Sequence, residues 1–121
     1  MMDKRGIILF AHGSRDPLWH APIEAVAEVI RTRDSKLLVC CAYLELSTPD
    51  LAQAAADLIA AGARQLKIFP LFLGVGKHAR EDLPRLVAQL RTQYPALVVE
   101  LMPAAGEHPQ LTELMASIAL S

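Results

Sequence analysis

Four short apolar runs, each followed by a segment with a 3.6-residue hydrophobic period, restrict what this chain can fold into more than any other feature. The runs occupy residues 6–11, 36–43, 65–71 and 97–101. Continuous apolar runs of this length suit strands buried on both faces, which is the habit of parallel rather than antiparallel sheets. Between and after them lie four helical stripes: Trp19, Ile23, Val26 and Ile30; Leu51, Ala54, Ala55, Leu58 and Ile59; Leu83, Leu86, Val87 and Leu90; and Leu111, Leu114, Met115 and Ile118. Strand and helix therefore alternate four times. The spacing predicts an α/β fold, a four-stranded parallel sheet of flavodoxin-like or Rossmann-like type flanked by helices, ordered 2-1-3-4 with right-handed crossovers.

Local signals sharpen the boundaries. Thr48, Pro49 and Asp50 offer a cap, a proline at the first helical position and an early acid, and Gly62 suits the exit of the same helix. Because proline is tolerated near a helix start, Pro84 predicts a third helix that begins only a few residues before it, leaving residues 74–78 in the preceding loop. With 121 residues and neither linker nor repeat, residues 1–121 read as a single domain.

Composition excludes several classes. Twelve basic residues against thirteen acidic ones leave a net charge of −1, which gives no global attraction to nucleic acid or anionic membrane. No apolar run approaches the roughly 20 residues of a membrane span, and the start lacks a signal-peptide pattern, so a cytoplasmic location is expected. Cys40 and Cys41 are adjacent in an apolar run, a pattern of buried reduced thiols rather than of a zinc or disulfide framework.

Ligands of open α/β sheets bind outside the carboxyl ends of the strands, where the strand order reverses. The polar residues that follow the runs are His12, Gly13, Ser14 and Arg15 after the first, Glu45 and Ser47 after the second, and Lys77, His78 and Arg80 after the third. Neutral imidazole is both a divalent-metal ligand and a base near pH 7, so His12 and His78 on one rim suit a metal ion or a proton in transit, with Glu45 as a third group. His20, early in a helix, and His108, before Pro109, read as structural. Gly74 and Gly76 offer an anion-binding backbone nest but lack the rest of a dinucleotide fingerprint.

Ala11, His12, Gly13, Ser14 and Arg15, then Tyr43, Leu44, Glu45 and Pro49, then Pro70, Leu71, Phe72, Leu73, Gly76, His78, Asp82 and Pro84 together resemble the small CbiX-type sirohydrochlorin chelatases, relatives of the ferrochelatases. The resemblance spans almost the whole chain and ends with Gly106, Glu107, His108 and Pro109. It implies insertion of cobalt, iron or nickel into sirohydrochlorin or a related carboxylated tetrapyrrole, with no cofactor beyond the metal substrate. His12 and His78 take the place of the family's metal-binding histidines and Glu45 that of its active-site acid. Ser14, Arg15, Lys77 and Arg80 are placed to meet the substrate's carboxylates. The histidine-rich stretch and cysteine-bearing extension of some members are absent from this sequence.

Ferrochelatase relatives grip the macrocycle between two lobes, whereas this chain has residues for one, so a homodimer is expected. Two other readings compete: a metal or tetrapyrrole carrier with the same pocket, and a phosphoryl-transfer enzyme. Histidine phosphatases carry Arg immediately before the working His, where this chain has Ala11.

Overall fold

The computed structural model describes residues 4–121. Strands β1 (Lys4–Ala11), β2 (Leu38–Tyr43), β3 (Ala63–Pro70) and β4 (Val98–Leu101) alternate with helices α1 (Pro17–Arg33), α2 (Leu51–Ala60), α3 (Lys77–Gln93) and α4 (Pro109–Leu120), the last preceded by a short 3-10 turn, Ala105–Glu107. All strand pairs are parallel and the order is β2-β1-β3-β4, as the alternation predicts.

Successive side chains point to opposite faces, so β1 and β2 each serve two cores. On one face Ile8, Phe10, Leu66 and Ile68 pack under α2 and α3 through Leu51, Ala55, Leu58, Leu83, Val87 and Leu90. On the other, Leu9, Ala11, Cys41 and Tyr43 pack under α1 through Trp19, Ile23, Ala27 and Ile30. Ala27 completes that contact; Val26, expected in the stripe, is 38% exposed.

Two expectations are corrected. Helix α2 is capped by Asp50, whose carboxylate accepts from Gln53 N while the Gln53 side chain accepts from Asp50 N, so Asp50 and not Thr48 closes the first turn. Helix α3 starts seven residues before Pro84, which puts Lys77 and His78 in its first turn rather than in the loop. The cause is burial: Ala79, Leu83, Val87 and Leu90 form one buried stripe that crosses the proline. Pro84 and Arg80 lie on the exposed side, where a carbonyl left without its helical N–H can be hydrated.

The fourth apolar stripe has the expected period but not the expected burial. No residue of α4 is buried, and Leu114, Ile118 and Leu120 are more than half exposed.

Candidate active site

Backbone hydrogen bonds run past the strand ends and bring the loops together. Leu44 N donates to Ala11 O at 2.9 Å and Glu45 N to His12 O at 3.0 Å, prolonging the β1–β2 ladder, while Leu71 N donates to Phe10 O at 2.8 Å and prolongs β1–β3. The strand order reverses between β1 and β3, because β1 leads through α1 to one side and β3 through α3 to the other. His12 leaves β1 and His78 follows β3, so the two histidines flank the crevice that this topology opens.

His12 is exposed, yet its ring has a fixed platform: it lies over Phe72 with ring centres 4.3 Å apart and planes inclined by 35°. Phe72 is itself buried, 2% exposed, and its carbonyl accepts from Gly106 N at 2.9 Å. His78 is exposed in the first turn of α3, whose N-cap Gly76 offers no side-chain cap. Beside it a shallow groove of about 350 Å³ is lined in part by Phe72, Val75, Ala79, Arg80, Met102 and Glu107. Among the described residues no three His, Cys, Asp or Glu side chains come together as a metal-holding set, so Glu45 does not join the two histidines as a third ligand within one chain.

The loop between His12 and Asp16 is held to the loop after β2 by one hydroxyl. Ser47 Oγ donates to Ser14 O at 2.7 Å and accepts from Ser14 N at 3.1 Å. His20 Nε2 lies 2.8 Å from the same oxygen, with its ring edge-on to Tyr43. No spacing in the sequence connects residues 14, 20 and 47, and only the fold reveals this tie. Gly13 is required there: with φ +100°, an added Cβ would sit 1.8 Å from Glu45 O. Leu46 takes φ +63°, a conformation that costs an L-residue roughly 1–2 kcal/mol, in the turn that presents Glu45.

Arg15, Lys77 and Arg80 are exposed at this rim and none forms an ion pair among the described residues. Neither Gly74 nor Gly76 has positive φ, and a Cβ at either would meet open space, so the left-handed step of a backbone nest is absent. His108 is satisfied structurally: its Nε2 is 2.9 Å from Pro103 O and its ring is edge-on to Phe69. Cys41 is buried and its thiol is pushed up to about 12, chiefly by burial and then by Glu24; Cys40, half-buried, is raised as well. Both remain neutral thiols at neutral pH.

The family model of CbiX matches residues 6–119. The chain belongs to the CbiX family. A sirohydrochlorin cobaltochelatase of Saccharolobus islandicus (strain L.S.2.15 / Lassen #1) is 31% identical over 103 residues, covering 82% of this chain and 79% of the relative. Among solved structures, a putative cobalamin (vitamin B12) biosynthesis CbiX protein from Marinobacter aquaeolei VT8 superposes with a TM-score of 0.83 at 29% identity, over 96% of this chain and 94% of the other. The sirohydrochlorin chelatase SirB from Bacillus subtilis subspecies spizizenii, solved in complex with cobalt, shares the CbiX fold at 24% identity and a TM-score of 0.76; 96% of this chain matches 51% of that one.

Proposed function

We propose that this CbiX chain is a sirohydrochlorin chelatase, inserting a divalent metal ion, cobalt, iron or nickel, into a carboxylated tetrapyrrole. One observation carries the reading. In a chain whose family includes sirohydrochlorin cobaltochelatases, His12 and His78 stand on either side of the strand-order reversal, at the rim where such folds bind ligands.

Insertion exchanges two N–H bonds of the macrocycle for bonds to the ion and releases two protons. The protein must hold the ion loosely enough to surrender it. Two imidazoles without a third protein ligand leave most of the coordination sphere to water and then to ring nitrogens. Phe72 fixes the His12 ring so that the donor nitrogen is presented without a search among rotamers. Glu45, on the adjoining loop, accepts a proton. Arg15, Lys77 and Arg80 meet the substrate's carboxylates, with Ser14 as a hydrogen-bond donor, and the unpaired N–H groups of the first turn of α3 add positive potential there.

The working unit is a homodimer. A flat tetrapyrrole needs two walls, and this lobe supplies one; a two-fold pair supplies the second. No helix among the described residues is long and apolar enough to cross a membrane. The reading places the work in the cytoplasm, with no cofactor beyond the metal substrate.

The test is metal insertion into metal-free sirohydrochlorin, followed by its absorption change, with Co²⁺, Fe²⁺ and Ni²⁺ offered separately and in competition. Product formed well above the uncatalysed rate supports the chelatase. Binding of tetrapyrrole or metal with no product would make the chain a carrier.

A further inference from the structure

The loop from His12 to Asp16 belongs to neither β1 nor α1, so its order has to come from contacts outside regular structure. Ser14 is held at both backbone atoms, since Ser47 Oγ lies 3.1 Å from its N and 2.7 Å from its O. Asp16 is held on the other side. Its N donates to Ser14 Oγ at 3.0 Å, its carboxylate accepts from Leu18 N and its carbonyl accepts from Trp19 N. Arg15 stands between these two anchored residues, with its side chain exposed and in no ion pair among the described residues. The acid next to it, Asp16, is committed to capping α1.

The protons of the tie can be assigned. A hydroxyl carries one proton and two lone pairs. Ser14 O can only accept, so the Ser47 proton lies in the 2.7 Å contact, and Ser14 N fills one lone pair. The remaining lone pair faces His20 Nε2 at 2.8 Å, a contact that closes only when His20 supplies the proton. Nε2 is therefore the protonated nitrogen of the neutral ring. Tyr43 holds that ring in place: it is buried, and the His20 ring stands edge-on to it with centres 4.9 Å apart. His20 thus joins the first turn of α1 to the loops that follow β1 and β2.

We infer that His20 and Ser47 are positioning residues, which fix the backbone on both sides of Arg15 and so hold its guanidinium ready for a substrate carboxylate. The inference rests on the chelatase reading for the identity of the ligand. A guanidinium grips a carboxylate through two parallel N–H bonds, and that geometry is only as good as the backbone behind it. Lys77 and Arg80 take their backbone order from α3, whereas Arg15 has the tie in place of a helix. Without the tie, binding would have to order the loop, at a factor on the order of ten in affinity for each residue released. Ser14 keeps its own hydroxyl proton, because its oxygen accepts from Asp16 N, and can donate it to the same carboxylate.

The test combines a spectroscopic and a kinetic readout on the full chain. In a nitrogen-15 spectrum of the histidine rings, recorded where His20 is neutral, Nε2 should carry the proton; a ring protonated on Nδ1 alone overturns the tie. For metal insertion into sirohydrochlorin, His20→Phe keeps a ring against Tyr43 but has no proton to give. KM should then rise about tenfold while kcat falls by no more than about threefold. His20→Gln restores a donor and should return KM to within about threefold of the unaltered chain. In an Arg15→Gln background, His20→Phe should change KM by less than about twofold, because nothing remains to be positioned. Effects of the two substitutions that simply multiply, a loss confined to kcat, or a Gln variant no better than Phe each overturn the inference. The same cycle, read by fluorescence as the dissociation constant for metal-free sirohydrochlorin, separates the two readings. A chain that binds with this coupling but inserts no metal keeps the positioning role and loses the chelatase. An active chain without the coupling does the reverse, and a chain that neither binds nor inserts loses both.

Discussion

Gly13 illustrates how a single residue joins the fold to the site. An alanine there would be strained at φ +100° and would place its Cβ 1.8 Å from Glu45 O, so the loop carrying Glu45 must move. Gly13→Ala should cost at least about 2 kcal/mol, read as a shifted urea midpoint with unchanged slope. Ser47 is the second such residue. Ser47→Ala removes the hydroxyl shared by Ser14 and His20, for a loss of about 1–2 kcal/mol and a lower turnover, whereas Ser47→Thr keeps the hydroxyl and should retain both. Glu45→Gln keeps size and removes the proton-accepting charge, so kcat for insertion should fall more than KM changes. An unchanged rate would leave Glu45 as a rim carboxylate without a chemical role.

Among the elements, the β1–β2 core under α1 has a pH signature. The Cys41 thiol, held neutral by burial up to about 12, would ionise near 9 in an unfolded chain, and burial raises Tyr43 in the same direction. For groups whose folded pKa is raised, the stabilisation is fully present below the unfolded value and is lost as pH climbs toward the folded one. Thermal stability should therefore decline between about pH 9 and 12, and Cys41→Ala should flatten part of that decline, as scanning calorimetry would show. Helix α3 carries a different prediction. Pro84→Ala restores an N–H for the Arg80 carbonyl and should raise stability by about 1–3 kcal/mol.

Elements were legible in the sequence where burial and period agreed. All four strands, the sheet order and the stripes of α2 and α3 follow from runs and spacing. The early start of α3 did not, because a buried stripe outweighed the local cost of Pro84. The strand-end positions of the candidate site residues were legible, and topology alone set His12 and His78 on the two sides of the β1/β3 reversal. The Phe72 platform under His12 and the tie among Ser14, His20 and Ser47 were not, since they join residues with no common period. The exposure of α4 was equally hidden: amphipathicity says that a helix has an apolar partner, not which chain supplies it.

At the scale of the whole molecule, the lobe offers one wall, a rim with two histidines and three cations that form no ion pair among the described residues, and an uncovered half-face. A dimer should be present at working concentration by sedimentation, and dilution below its dissociation constant should lower insertion activity per chain. A monomer with full activity would contradict the shared cleft. The central claim is that the two histidines across the β1/β3 reversal carry the metal into the macrocycle. The most direct measurement is the rate of Co²⁺ insertion into sirohydrochlorin by the unaltered chain, His12→Ala and His78→Ala, each verified as folded by circular dichroism. The account predicts that either substitution reduces insertion by 100-fold or more, or on the order of 3 kcal/mol in the barrier, with the fold intact; full activity in both variants would contradict it.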